Sequence, residues 1–103
     1  MWNTQLISIL HEACKSLNLK YRIDYIHNVV EYKTYIKLTI KTHKSYCFKF
    51  LPDEYRGIFQ IEKNEENIIS LPFRMLFEYK DNIVDYFKRE ISQHCLIGDF
   101  ILK

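Results

Sequence analysis

The chain has 103 residues, 48% of them hydrophobic and 27% charged, with a formal net charge of +2. That balance excludes a disordered chain and allows one modest core; no apolar run approaches the ~20 residues of a membrane-spanning helix. The first residues carry no basic leader, and three cysteines without short paired spacing read as reduced thiols, so a cytoplasmic protein is expected.

Residues 4–18 read as an amphipathic helix, because Ile7, Leu10, Cys14 and Leu17 recur at the three- and four-residue spacings of one helical face. Asn3 or Thr4 is placed to cap its start. Asn18 is placed to close it in a left-handed conformation. From Lys20 the period changes from helical to alternating. A two-residue turn at His27-Asn28 pairs Tyr25 with Val30 and Ile23 with Tyr32. A second hairpin closes around His43 and sets Ile40 opposite Tyr46, Leu38 opposite Phe48 and Ile36 opposite Phe50. The two registers turn the same residues of the middle strand inward, which supports a meander.

After the turn-rich "PDEYRG", Phe59 and Ile61 continue the inward set as a fourth strand. "KNEENII" is read as leaving the sheet, and the segment from Ser70 to Gly98 as helix, with Pro72 in its first turn. Its stripe is Phe73, Leu76, Phe77, Ile83, Val84, Phe87 and Ile91, with room for a break near Asp81-Asn82. The expected fold is α+β: a four-stranded antiparallel meander with an N-terminal and a C-terminal helix packed on one face, residues 1–103 forming a single domain. The predicted core joins Leu10, Ile36, Leu38, Ile40, Phe48, Phe50, Phe59 and Phe77.

Charge is unevenly placed along the chain. Residues 20–51 hold seven basic and two acidic side chains, whereas residues 52–103 hold seven basic and ten acidic ones. The alternation turns Lys20, Arg22, Lys33, Tyr35, Lys37, Lys41 and Lys49 away from the core, and Lys44 falls in the same basic hairpin. Neighbouring lysines on one face repel each other unless an anion lies over them. The same lysines also serve solubility and guard edge strands. With Tyr35 the one clearly outward aromatic, the pattern favours contact with a nucleic-acid backbone or an acidic protein surface over base readout.

Two constellations carry possible chemistry. Asp24, Glu31 and Lys33 fall together in the first hairpin, and the spacing Glu31-x-Lys33 matches the acidic-x-lysine element of metal-dependent nucleases. His11 and Cys14 share one side of the first helix, and His94-Cys95 lies near the end of the last, which is a conceivable zinc set, but adjacent His94 and Cys95 point apart on a helix. No glycine-rich phosphate loop exists and no cofactor or metal is called for. The leading expectation is a small non-enzymatic binding or regulatory protein that uses hairpins 20–51 to engage an anionic partner; its size and composition suit a phage or mobile-element accessory protein. A nuclease using Asp24, Glu31 and Lys33 is the alternative. A homo-oligomeric regulatory subunit is the third reading, with the helical aromatics forming the interface and the acidic C-terminal half of one copy meeting the basic hairpins of another. Trp2, Tyr55 and Tyr86 are candidate interface anchors, and the helices around Trp2, Tyr79 and Tyr86 are where an interface is sought if the lysines only solvate.

Overall fold

A computed structural model describes residues 2–30, 33–41 and 45–93. The order is helix α1 (Trp2–Ser16), strands β1 (Lys20–Asn28), β2 (Lys33–Lys41), β3 (Ser45–Asp53), β4 (Ile58–Lys63) and β5 (Glu66–Pro72), then helices α2 (Arg74–Glu78) and α3 (Lys80–Ile91). The strands form one antiparallel sheet in chain order. One hydrophobic cluster joins its inner face to all three helices. The α+β meander is therefore present, with five strands where the sequence suggested four.

Helix α1 already includes Asn3 and Thr4, so neither caps it. Its buried side is Leu6, Ile9, Leu10, Ala13 and Cys14, while Ile7 and Leu17 pack at its margin. The helix ends as expected at Asn18, with φ of 55°. Leu19 N–H donates to the Cys14 carbonyl and Asn18 N–H to that of Lys15, a pair of reverse bonds that satisfies two terminal carbonyls.

The first hairpin differs from the sequence reading. Tyr25 lies opposite Ile36 and Ile23 opposite Leu38, because β1 runs through His27-Asn28 before the chain turns. The slip relative to a turn at 27–28 is six residues, an even number. Every side chain thus keeps its face, since sides exchange only on an odd shift. Val30, expected inside, is 88% exposed in the connector, while Tyr32 lies outside the described residues. The second hairpin has the expected register: Ile36 faces Phe50, Leu38 faces Phe48 and Ile40 faces Tyr46. Its tip at His43 also lies outside the described residues.

The fifth strand is what "KNEENII" hides. Lys63 pairs with Glu66 across a two-residue turn whose Asn64 and Glu65 both have positive φ, 50° and 73°. Two consecutive left-handed residues are the backbone of a hairpin turn matched to sheet twist. Asn64 is tied to β3 by exchange with Cys47: its amide N–H donates to the Cys47 carbonyl, and its Oδ1 accepts from the Cys47 amide. The pairing then slips between Ile61 and Glu62, leaving Ile68 as an extra residue in β5. Such a bulge lets neighbouring Ile68 and Ile69 both pack on the core, which masked the alternation expected of a strand.

Pro72 ends β5 instead of starting a helix, and Phe73 N–H donates to the carbonyl of Gly57. The helical region breaks at Tyr79 (φ −128°, ψ 45°), two residues before the expected place. The break fixes the rotation of α2 so that Leu76 is buried and Phe77, placed in the core by its spacing, is 55% exposed. The other predicted core residues are buried together. Aromatic rings run through this core in sequence: Trp2 stacks on Phe73, Phe73 on Phe59, Phe59 meets Phe50, and Phe50 meets Phe87 edge-on.

Candidate functional site on the outward sheet face

Inward parity for the aromatics fixes which side chains share the other face. Across β1 and β2 the outward pairs are Lys20 with Lys41, Arg22 with Thr39, Asp24 with Lys37, Ile26 with Tyr35, and Asn28 with Lys33. Lys37 continues to Lys49 on β3, and Lys49 to Glu62 on β4. One row of the sheet therefore reads Asp24, Lys37, Lys49, Glu62. Strands lie about 4.8 Å apart, so the repulsion between the two central lysines is offset by a carboxylate on each flank. Sequence alone missed this compensation, since it depends on the true register of the first hairpin and on the pairing of β4.

The cations divide into groups. Lys20, Arg22, Lys37 and Lys41 line one shallow concavity of about 370 Å³, together with Tyr21, Thr39 and a single carboxylate, Asp24. Arg22 Nε donates to Asp24 Oδ1 at 3.0 Å, yet the Arg22 side chain remains 78% exposed. An ion pair that open to water is weakly held, so Arg22 stays available to another anion. Lys33 stands at the opposite end of β2, beside Thr34, Leu51, Pro52 and Glu54. Lys49 lies between these ends, its Nζ 5.7 Å from the centroid of the Tyr35 ring. That ring is half-buried and carries a cation on its face, which leaves it poorly placed to stack on a base. Lys44 lies outside the described residues.

This register separates Asp24 from Lys33, the two described members of the nuclease constellation. Asp24 faces Lys37 where the sequence reading placed Glu31, and Glu31 lies outside the described residues. Lys33 pairs with Asn28, four positions along β1 from Asp24, a separation of about 13 Å along the strand. Of the conceivable zinc set, Cys14 is fully buried and His11 Nδ1 is hydrogen-bonded with the Tyr21 hydroxyl at 2.6 Å, while His94 and Cys95 lie outside the described residues. No cluster of three or more His, Cys, Asp or Glu side chains suited to a metal occurs among the described residues.

The interface aromatics also separate. Trp2 is stacked on Phe73 with its indole N–H donating to Glu54, and Tyr86 is half-buried beside Phe87. Burial pushes the Tyr86 phenol up, and Glu90, which hydrogen-bonds it, adds to the shift. Desolvation raises the Tyr21 phenol, with Cys14 contributing. Tyr55 is 99% exposed and Tyr79 about half. Between α3 and the inner sheet face an apolar crevice lined by Leu38, Phe48, Ile61 and Phe87 holds only about 20 Å³, far below what a small-molecule site encloses.

Comparison with protein-family models, curated proteins and solved structures returns no match for this chain. No helix among the described residues is long and apolar enough to cross a membrane. The functional reading therefore rests on the site itself.

Proposed function

We propose that the protein is a small cytoplasmic binding protein without catalytic activity, which engages an anionic partner through the corner formed by Lys20, Arg22, Lys37 and Lys41. The observation that carries this reading is the gathering of four cations around one concavity with a single carboxylate. A shallow concavity lined by cations from two neighbouring strands suits an extended anion, and the capped Tyr35 ring argues for contact with charge over contact with bases. Among extended anions, the nucleic-acid backbone is favoured, since its charges are dense and regularly spaced. An acidic protein surface is the other outcome of the test.

The test measures binding to labelled random-sequence duplex and single-stranded DNA, and to polyglutamate, across a salt series. Neutralising about four phosphates gives a slope of about −3.6 in log K against log salt on duplex, or roughly a 100-fold loss between about 50 and 200 mM. Lys37→Glu with Lys41→Glu should abolish binding, and Lys33→Glu, at the far end of the strand, should leave it nearly unchanged. Binding to polyglutamate but not to DNA assigns an acidic protein as partner. Binding to neither, or retention of binding by the Lys37/Lys41 double variant, overturns the proposal.

A further inference from the structure

The outer edge of β1 has no partner strand among the described residues: β1 is the terminal strand of the sheet, and its only neighbour in it is β2. Over residues 20–26 this edge carries alternate N–H and C=O groups that no strand among the described residues pairs, a template for another strand. The helices leave its inner face incompletely covered. Tyr21 and Ile23 are half-buried, and Tyr25 is 51% exposed on the side where β2 buries Ile36, Leu38 and Ile40 in the core. The edge thus offers, among the described residues, backbone that no strand pairs and apolar surface at its rim.

We propose that β1 is a homodimerisation edge: two copies pair β1 with β1′ antiparallel, with Ile23 on the two-fold axis, to make one continuous ten-stranded sheet. The occupant is a second copy because β1 is complementary to itself in one register. With the axis at Ile23, Arg22 faces Asp24′ and Asp24 faces Arg22′ on the outward side. On the inward side Ile23 meets Ile23′, and Tyr25 meets Tyr21′ twice. An isologous contact needs residue i to suit j while j suits i, and this register meets that condition on both faces. Cross-strand opposite charges and aromatic pairs are the contacts that stabilise antiparallel strands. Moving the axis to a neighbouring position breaks the match. An axis at Asp24 sets that carboxylate against its own copy, an axis at Arg22 sets two guanidinium groups together on the two-fold although Lys20 then faces Asp24′, and an axis at Tyr25 leaves both charges facing Ile26′ or Asn28′.

The Arg22–Asp24 pair within one copy does not oppose this arrangement. Arg22 is mostly exposed in the monomer, and the dimer adds a partner carboxylate across the strand at no loss of the existing one. Seven residues on each strand overlap, from Lys20 to Ile26, which allows about six to eight backbone hydrogen bonds. An interface of this size lies at the weak end of specific association, so the dimer should be concentration-dependent. Pairing also continues the outward face across the axis, with the two Lys20 side chains about 20 Å apart along the strand direction. The proposal does not rest on anion binding, since its readout is mass; it shares Lys20 and Arg22 on β1 with the anion corner, whereas Lys37 and Lys41 lie on β2, away from the pairing edge.

The decisive experiment is a charge exchange on the full chain, read by sedimentation equilibrium and native mass spectrometry with folding checked by circular dichroism. The natural chain should move from monomer to dimer with concentration. The Arg22→Glu chain and the Asp24→Lys chain should each self-associate at least tenfold more weakly. Mixed together they should form a one-to-one heterodimer, because the glutamate introduced at position 22 of one then faces the lysine introduced at position 24 of the other, while the unaltered Asp24 of the first faces the unaltered Arg22 of the second. Independently, Ile23→Cys should cross-link on mild oxidation through position 23 itself, as peptide mapping would show, since residues paired on a two-fold axis have Cα atoms about 4.5–5.5 Å apart. A natural chain that stays monomeric at millimolar concentration overturns the proposal. So does a dimer that neither charge reversal weakens, or cross-linking that avoids position 23.

Discussion

Removing the ring of Phe59 tests the packing account most directly. Phe59 is fully buried on β4, with its ring centroid 6.4 Å from Phe50 and 6.2 Å from Phe73, the latter nearly parallel to it at 13°. Phe59→Ala deletes the transfer free energy of a benzyl group and leaves a cavity that two flanking rings cannot close without abandoning their other partners, Phe87 and Trp2. Such substitutions cost about 3–5 kcal/mol, and two lost aromatic contacts at ~0.5–1.5 kcal/mol each place this one in the upper half. Against a total of roughly 5–15 kcal/mol for a domain of this length, that is a large share. In thermal unfolding it amounts to a fall of about 15–30 °C in Tm. Urea titration followed by circular dichroism gives the free energy, and Trp2 fluorescence should report the same midpoint because the ring chain ends on that indole. A cost below about 1.5 kcal/mol would refute the reasoning, and Tyr55→Ala, at a side chain that touches almost nothing, serves as the neutral control.

Other expectations concern backbone strain and titration. Glu65→Gly should stabilise by about 0.5–1 kcal/mol, since φ of 73° costs a side-chain-bearing residue more than glycine adds to unfolded-state entropy; chemical denaturation reads the gain. Asn18→Ala should cost about 1 kcal/mol in the same assay and Asn18→Gly should not, because only glycine and asparagine enter the left-handed cap readily. The raised Tyr86 phenol keeps its proton in the folded state at pH values where the unfolded phenol has lost it. Stability from this group is complete below pH 10 and declines as pH rises through the folded value, so unfolding midpoints taken upward from about pH 9 should fall, less steeply in Tyr86→Phe.

The legible parts of the fold were those where one signal acted alone. The second hairpin is tied by three apolar pairs, Ile36–Phe50, Leu38–Phe48 and Ile40–Tyr46, and both strands alternate without interruption, so its register follows from pattern. In the first hairpin, His27-Asn28 offers a good turn that loses to a longer pairing, in which Ile23 and Tyr25 meet Leu38 and Ile36. Tertiary burial outweighed local turn chemistry there. β5 was illegible for a different reason: its bulge puts Ile68 and Ile69 on the same side and erases the period of two. For the site, parity placed Lys20, Arg22, Lys37, Lys41 and Lys49 on one face, but which of them has a carboxylate across from it depended on long-range pairings such as Lys37 with Asp24 and Lys49 with Glu62 that no local pattern encodes.

Every strand of this sheet pairs only with its sequence neighbours, and the chief contacts between distant parts of the chain are those of α1 with α3 and α2. The entropy of closing large loops is therefore concentrated in one event, the meeting of the N-terminal helix with the C-terminal pair, while each hairpin closes over a short connector. A chain so ordered is expected to assemble its sheet by local steps and to seal it last. Mutations at Leu6 and Ile83, which are buried on α1 and α3, should then speed unfolding and leave the folding rate nearly untouched. In that order of events the inner face of the meander, with Leu38, Phe48 and Phe59, stays open to water until closure, and the lysines on its other side would add a mutual repulsion between chains that disfavours sticking of the unsealed sheet.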